Sequence, residues 1–151
     1  MPIYNAPLAD MKFILNDVFN AEQFWQSNEN LAHVDAATAE AILEEMAKFA
    51  HNVTLPLNRS GDEEGAQFAN GAVTTPAGFK AAFQQYAEGG WIGLAADEEW
   101  GGQAMPKMLT VLSDEMLFAT NPSFMLYPLL SVGAGMALNS YASQEQKETY
   151  L

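Results

Sequence analysis

Side chains that commonly perform acid–base chemistry or bind metals are few in this sequence. The two histidines, His33 and His51, have no second ligand at a metal-binding spacing, and cysteine is absent. Disulfides, thiolate metal sites and cysteine nucleophiles are therefore excluded, and the lack of cysteine suits a reducing cytoplasm. A solvated or helix-capping role is the better interpretation of both histidines. We predict no catalytic residue and no metal site in this chain.

Two acidic triplets place carboxylates side by side, an arrangement that acid–base catalysis can use. The first, residues 62–64 (DEE), lies in a glycine-rich polar stretch with no apolar wall to raise a pKa, which favours a solvated turn. The second, residues 97–99 (DEE), lies between Trp91 and Trp100, where partial burial is possible. An acidic loop that caps a helix or holds a turn is still the favoured interpretation over a catalytic dyad.

The second triplet belongs to an unusual segment, residues 90–102 (GWIGLAADEEWGG), which has two tryptophans and four glycines. These glycines lack the spacing and the lysine of a phosphate-binding loop, so they indicate tight turns and close backbone approach. Burial of an indole is worth roughly 2–3 kcal/mol or more, enough to hold an irregular loop in place. We expect Trp91 and Ile92 to pack on a helical core, the acidic triplet to face water or a neighbouring domain, and the loop to form one wall of a ligand cavity.

Composition limits the possible partners. The chain has 151 residues, 49% of them hydrophobic, which suits one domain with a real core. A net charge of -13 with only six Lys and Arg argues against nucleic acids and anionic membrane surfaces. The N-terminus lacks the basic and apolar regions of a secretory signal. The most apolar run, residues 124–138, is about fifteen residues long where a membrane span needs about twenty, so we expect no membrane insertion.

The elements that position these segments are predicted to be helices, since the apolar residues recur at helical spacing along most of the chain. Helices are predicted over residues 7–20, 21–28, 35–57, 106–119 and 122–141. Thr75-Pro76 should open another helix with a hydroxyl cap, with Phe79, Phe83 and Tyr86 on its apolar face. A last helix should begin at the capping box of Ser143.

Local signals sharpen several boundaries. Asp35 is the expected N-cap of its helix, which Pro56 should end or kink near residue 54 or 55. Glu44 and Lys48 are predicted to pair on the outer face of that helix. Residues 59–75 are predicted to form an exposed connection with a small turn at residues 70–71, and no strand is predicted.

The helix from Pro122 is the most informative element for function. Pro128 lies inside it and should kink the helix or loosen one hydrogen bond. Large side chains occupy residues 124–127, whereas residues 131 and 133–135 are small. Small residues on a buried helix favour tight packing of another helix, and a slot for an apolar chain is the alternative.

The order of these features is more specific than any one of them. GWIGLAADEEWGG is followed by QAMP, by a helix with SDEM, and then by NPSFMLYPLLSVGAGMALNSYASQEQKETYL. This order resembles the N-terminal helical domain of the flavin-dependent acyl-CoA dehydrogenases, over residues 90–151 and most specifically over residues 143–151. The front of the chain, MPIYNAPLADMKFILNDVF, is similar to the extra N-terminal helix of a longer bacterial branch, which includes enzymes acting on methylmercaptopropionyl-CoA. Asp97 and Trp100 depart from the residues common in the family's loop.

The resemblance implies an all-α fold, an up-and-down helical bundle with an extra N-terminal helix. Residues 1–34 would be extension helices and residues 35–151 the family's N-terminal domain, with the middle and C-terminal domains absent. The parent enzyme would be a cytoplasmic homo-oligomer that binds FAD, oxidises an acyl-CoA thioester to the 2,3-enoyl-CoA and passes electrons to electron-transfer flavoprotein or a similar acceptor. The flavin-binding segments and the catalytic base would lie beyond residue 151, so the resemblance implies that this chain alone is inactive.

The resemblance also implies that this part of the enzyme lines the acyl pocket. The expected pocket face consists of Phe124, Tyr127, Pro128, Leu129, Ser131 and Val132. Two alternatives stay open: a non-catalytic helical interaction or scaffold module, and an isolated carrier of acyl chains.

Overall fold

The computed structural model describes residues 3–151, and most of them are helical. The α-helices are α1 (Leu8–Phe13), α2 (Ala21–Gln26), α3 (Ala36–Phe49), α4 (Leu55–Glu64), α5 (Phe79–Glu88), α6 (Lys107–Thr120), α7 (Pro122–Tyr141) and α8 (Gln144–Tyr150). Two π-helical turns, Ile14–Val18 and Ala50–Thr54, extend α1 and join α3 to α4. Strands β1 (Gln67–Ala69) and β2 (Ala72–Thr74) form a small antiparallel hairpin. The predicted helical architecture is confirmed, with this hairpin as an addition.

One hydrophobic core joins the N-terminal helices to the rest of the chain. Met11 and Trp25 from α1 and α2 are buried in the same cluster as Leu43 of α3, Leu109 of α6 and Phe124 of α7. The N-terminal extension therefore packs as part of this core, while the division of the chain at residue 34 stays a prediction. Among the described residues, no helix combines the length and apolar character needed to cross a bilayer.

Surface charges also attach α1 to α3. The Lys12 ammonium lies 2.9 Å from the Glu40 carboxylate and 2.8 Å from that of Glu44. The predicted partnership of Glu44 with Lys48 is therefore wrong, because Glu44 turns to Lys12 and Lys48 pairs instead with Glu45 one turn earlier. Sequence spacing alone could not show that an incoming helix brings a competing ammonium.

Pro56 does not end the helical run, so the first of the two predicted outcomes is wrong, while the other, a kink near residue 54 or 55, stays a prediction. The π-helical turn at Ala50–Thr54 comes first, and Pro56 then occupies the first turn of α4. A proline is tolerated there because the first N–H groups of a helix have no intrahelical partner. Helix α4 runs on to Glu64, so residues 59–64 are helical and the prediction of an exposed connection holds only beyond them. The first acidic triplet is the solvated last turn of α4.

The hairpin and the start of α5 also differ from the predictions. Asn70 and Gly71 both have positive φ, 52° and 78°, which makes the two-residue turn that joins β1 to β2. Each strand has only three residues, all exposed, and this is too short to show an alternating pattern. Helix α5 starts at Phe79 and not at residues 75–76, with Gly78 in the left-handed region as its N-cap. Phe83, expected on the apolar face of α5, is 37% exposed.

Three predicted helix starts are confirmed by their hydrogen bonds. Asp35 accepts a hydrogen bond from the Thr38 backbone N–H at 2.7 Å, and this bond holds the pKa of its carboxyl below the usual value. Asn121 caps α7 by accepting from the Phe124 N–H at 2.9 Å. Ser143 and Gln146 form the predicted capping box of α8. All three depend on residues close in sequence, which is why local signals reveal them.

Candidate ligand cavity

A cavity of about 680 Å³ lies between α6, α7 and the loop of residues 90–102. This volume is in the range of small-molecule sites, and most of the lining is apolar. Apolar side chains that line it include Ile92, Leu94, Met125, Leu129, Val132, Met136 and Leu138. The cavity is therefore suited to an apolar ligand of moderate size.

The loop of residues 90–102 forms one wall because the next residues fold back on it. The backbone N–H of Gln103 donates to the Gly93 carbonyl, and that of Met105 donates to the Leu94 carbonyl, both at 2.9 Å. Leu94 is buried, and Trp91 and Ile92 pack against the core, as predicted. These contacts hold an irregular segment in one shape.

Gly102 shows why this loop needs glycine. A Cβ atom at this position would lie 2.1 Å from the carbonyl oxygen of Ala96, which is part of the backbone and has little freedom to move away. Any side chain here would therefore force the two arms of the loop apart. The close backbone approach predicted for these glycines is confirmed at this position.

The second acidic triplet is exposed, as expected. Within it, the Asp97 carboxylate accepts a hydrogen bond from the side-chain amide of Asn139 on α7 at 2.6 Å. This contact connects two walls of the cavity across 42 residues of sequence. The role of Asp97 in the structure is to tie the loop to α7.

The second half of α7 borders the cavity with small residues. A Cβ atom on Gly133 would meet no atom within 4 Å, and one on Gly135 would meet only Leu151, at 3.8 Å. Among the described residues, no helix packs closely against Gly133. Within the described residues, this run of small residues therefore borders open space, and its role as a slot for an apolar chain stays a prediction.

The six residues expected on the pocket face separate into two groups. Leu129, Ser131 and Val132 line the cavity, whereas Phe124, Tyr127 and Pro128 do not. Phe124 is fully buried in an aromatic cluster, with its ring centroid 6.3 Å from those of Phe49 and Phe79 and 5.9 Å from that of Tyr86. Phe124 therefore supports the cavity wall from inside the core.

Tyr127 and Pro128, the other two residues that do not line the cavity, also lie on the side of α7 that faces the core. The ring of Tyr127 packs edge-on against Phe79 at 6.2 Å, and Pro128 is buried within the helix. Their positions show that α7 turns one face to the core and another to the cavity.

A polar row on α6 was not predicted from the sequence. Lys107, Thr110 and Asp114 follow one another at steps of three and four residues, so they lie on one helix face, and all three line the cavity. The spacing of this row is present in the sequence, but the apolar residues of α6, which predict its helix, lie on a different face. Tyr86 of α5 lines the same cavity.

Burial changes the titration of two of these groups. It raises the pKa of the Asp114 carboxyl, and the Lys107 charge opposes this shift only in part. Burial also raises the pKa of the Tyr86 hydroxyl, and the negative charge of Asp114 raises it further. Asp114 and Tyr86 are therefore within electrostatic reach of each other.

No metal or flavin site is assigned to the described residues. They contain no group of three or more His, Asp or Glu side chains that could hold a metal ion. The diphosphate of FAD calls for cationic or backbone N–H donors, whereas the charged side chains that line the cavity are Asp97, Lys107 and Asp114. The cavity therefore does not fit the diphosphate of that cofactor.

The chain matches a known domain and several characterised enzymes. The family model for the N-terminal domain of acyl-CoA dehydrogenases matches residues 36–151. The chain is 34% identical over 148 residues to 3-methylmercaptopropionyl-CoA dehydrogenase from Ruegeria pomeroyi. It is 26% identical over 151 residues to butyryl-CoA dehydrogenase from Syntrophomonas wolfei, and 28% identical over 152 residues to a broad-specificity linear acyl-CoA dehydrogenase from Mycobacterium tuberculosis.

Each of these alignments includes 98% of this chain but only 24–25% of the relative. The chain thus spans about a quarter of the length of the curated relatives that it matches. The family model covers most of its residues, including α6, α7 and the loop of residues 90–102 that enclose the cavity. The chain belongs to the acyl-CoA dehydrogenase family, as an N-terminal domain of that family.

Proposed function

We propose that this chain is the N-terminal part of a flavin-dependent acyl-CoA dehydrogenase and that its cavity receives the acyl chain of the thioester substrate. The observation that carries the proposal is the cavity of about 680 Å³, which is mostly apolar and lies within the part that matches the family. The names of the three relatives agree with an acyl-CoA substrate. The described residues form the binding wall and contribute no base or redox group to the proposal.

The proposed role of this chain in the oxidation to the 2,3-enoyl-CoA is to bind and orient the acyl chain and to exclude water around it. Leu129 and Val132 would contact the chain directly, and each buried methylene adds about 0.8 kcal/mol to binding. Ser131 would provide a polar edge. Behind them, Phe124 and Pro128 would hold α7 in position.

The proposal extends to the whole protein. Its other parts would bind FAD, which supplies the acceptor for hydride, and electrons would pass to electron-transfer flavoprotein or a similar acceptor. We further propose a cytoplasmic homo-oligomer whose remaining domains cover apolar surface of this chain. In support, Leu130 on α7 is 71% exposed and Tyr141 is 90% exposed.

The test is a preparation of the full-length protein. We expect a yellow protein with the absorption bands of oxidised flavin, which butyryl-CoA, hexanoyl-CoA or octanoyl-CoA bleaches in the absence of an acceptor. A colourless protein that turns over none of these thioesters would contradict the proposal and favour the scaffold alternative.

A second experiment locates the acyl chain in the cavity. Gly133→Val adds a side chain at a position with open space around it, so the fold is kept while the slot is shortened. We expect kcat/KM for octanoyl-CoA to fall about 10-fold relative to butyryl-CoA, since loss of a few methylene contacts is worth this much. Val73→Ala, on the exposed hairpin, is the matched control and should leave the ratio unchanged. An unchanged ratio in Gly133→Val would place the acyl chain elsewhere.

A further inference from the structure

The last part of α7, residues 131–141, is a cavity wall with little packing behind it. None of these residues is buried, and a Cβ atom on Gly133 would meet no atom within 4 Å. Pro128, which precedes this stretch, has no backbone N–H, so it cannot donate to the Phe124 carbonyl and the helical hydrogen bonds have a gap there. The position of this wall therefore depends on few interactions.

One side-chain hydrogen bond reaches the wall from the loop of residues 90–102. The Asn139 amide donates to the Asp97 carboxylate at 2.6 Å, and both residues line the cavity. Among residues 3–151, it is the only side-chain hydrogen bond that joins residues 131–141 to another element. A hydrogen bond to a charged carboxylate is stronger than one between neutral groups, so this contact can hold α7 to the loop.

The loop is the fixed side of this contact. The backbone carbonyl of Asp97 accepts from the N–H groups of Trp100 and Gly102, both at 3.0 Å. Next to it, the Ala96 carbonyl accepts from the Ala104 N–H at 2.9 Å. The Asp97 carboxylate therefore projects from a turn that backbone hydrogen bonds hold in one shape, and the less constrained helix is the element that it positions.

We infer that Asp97 and Asn139 are positioning residues that set the width of the cavity between the loop and residues 131–141, and through it the use of longer acyl chains. This inference rests on the proposed function and names a determinant of chain length in the same cavity. Val132 and Met136 line the cavity from the positioned stretch. An acyl chain that reaches them keeps these contacts only while α7 is held to the loop.

A short acyl chain depends on a different part of the wall. Met125 is buried in the core, and Leu129 packs against the core, so the positions of these two cavity-lining residues do not depend on the bond to the loop. Loss of that bond should therefore weaken the use of a long chain more than that of a short one.

The test measures the ratio of kcat/KM for octanoyl-CoA to that for butyryl-CoA with the flavin-loaded full-length enzyme. Asn139→Asp keeps the shape of the side chain but places two carboxylates together, so the hydrogen bond is lost. We expect the ratio to fall about 3- to 5-fold, which is what a hydrogen bond at a partly exposed site is worth. Asp97→Ala breaks the same bond without adding a charge and should lower the ratio by a similar factor.

A reciprocal exchange separates the bond from other effects of these substitutions. The double variant Asp97→Asn with Asn139→Asp places the amide on the loop and the carboxylate on α7, so the bond can form in the reverse direction and the ratio should return to the wild-type value. Glu99→Gln is the matched control: it changes an exposed carboxylate of the same loop that does not line the cavity, and it should keep the wild-type ratio.

Damage to folding or to flavin binding cannot imitate the expected result, because it lowers both members of the pair and cancels in the ratio. The dissociation constants of S-octyl-CoA and S-butyl-CoA, thioethers that lack the carbonyl and are not oxidised, give the same comparison for a variant that no longer turns over.

The outcomes distinguish this inference from the proposed function. An unchanged ratio in Asn139→Asp and Asp97→Ala, or a fall that the reciprocal exchange does not reverse, would overturn the positioning role alone. If no acyl-CoA is oxidised and no thioether binds, the proposed function fails and the positioning role fails with it. A fall in both single variants that the reciprocal exchange reverses, with Glu99→Gln like the wild type, would establish the pair as a determinant of chain length.

Discussion

The two halves of α7 differ in what they do with the same helical geometry. In the first half, Phe124 and Pro128 are buried and lie outside the cavity. In the second half, Val132 and Gly133 line the cavity. One helix thus changes from a packing element to the wall of a binding site within about two turns.

This difference shows that apolar character alone does not identify the ligand-binding face. The first half of α7 is rich in large apolar side chains, and these are used to fix the helix to α3 and α5 through aromatic contacts. The second half provides space at residues 133–135, whose side chains are small. A pocket of this kind needs both the large packed side chains and the small ones, since the open wall keeps its shape only if its neighbouring turns are firmly packed.

The strongest way to break the comparison is to remove the anchor of the first half. Phe124→Ala deletes a fully buried ring that contacts three other aromatic rings, and we expect it to lower the free energy of unfolding by about 3–5 kcal/mol. Chemical denaturation followed by circular dichroism measures this change. Phe68→Ala makes the same exchange on the hairpin, at a site 75% exposed, and as the control it should change stability by less than about 0.5 kcal/mol. Similar losses in the two variants would mean that the first half of α7 is not the anchor.

The second prediction concerns the start of the anchored half. The buried Asn121 side chain accepts from the Phe124 N–H at 2.9 Å and donates to the Thr54 carbonyl at 3.2 Å, so it both caps α7 and joins it to the turn before α4. Asn121→Ala removes both bonds and leaves buried backbone groups without these partners, with an expected loss of about 2 kcal/mol.

The matched comparison for Asn121 is the exposed cap of α8. Ser143→Ala removes a cap that water can replace in part, and we expect a loss of about 0.5–1 kcal/mol in the same unfolding measurement. A loss at Ser143 as large as that at Asn121 would show that the connection to Thr54 adds nothing to the cap.

Much of this fold could be predicted from the sequence because its signals are local. Asp35 and Ser143 were recognised as helix caps because each bonds to a backbone N–H a few residues ahead. Pro56 was misinterpreted because the π-helical turn before it changes the hydrogen-bond register, and apolar spacing does not reveal such a turn. The start of α5 was misplaced because Glu64, distant in sequence, accepts from the Ala77 N–H at 2.9 Å and helps to set how the chain enters the helix.

The site was predictable in part for a different reason. Family resemblance pointed to α7 as a whole, but a helix that is apolar on nearly all sides has no periodicity to show which face meets the core. Leu129, Ser131 and Val132 lie at the cavity and Phe124 lies in the core for reasons of tertiary packing. The polar row on α6 was not predicted because apolar spacing identifies the face of a helix that meets the core and does not show what the neighbouring face contacts.

An effect as small as that at Ser143 still gives a sharp comparison when one substitution should act with opposite signs in two helices. Gly133→Ala adds a methyl group to the middle of α7 where no atom lies within 4 Å, so we expect stability to rise by about 0.5–1 kcal/mol through the better helix propensity of alanine.

Gly61→Ala makes the same exchange in α4, where the new Cβ would lie 2.5 Å from the ring of Phe79. That ring is buried against Phe124, so it cannot move away without disturbing the core, and we expect a loss of stability there. Thermal unfolding of the two variants tests both signs at once: destabilisation by Gly133→Ala would mean that another part of the protein already fills the space beside α7, and the second half of the helix would then be a packing surface like the first.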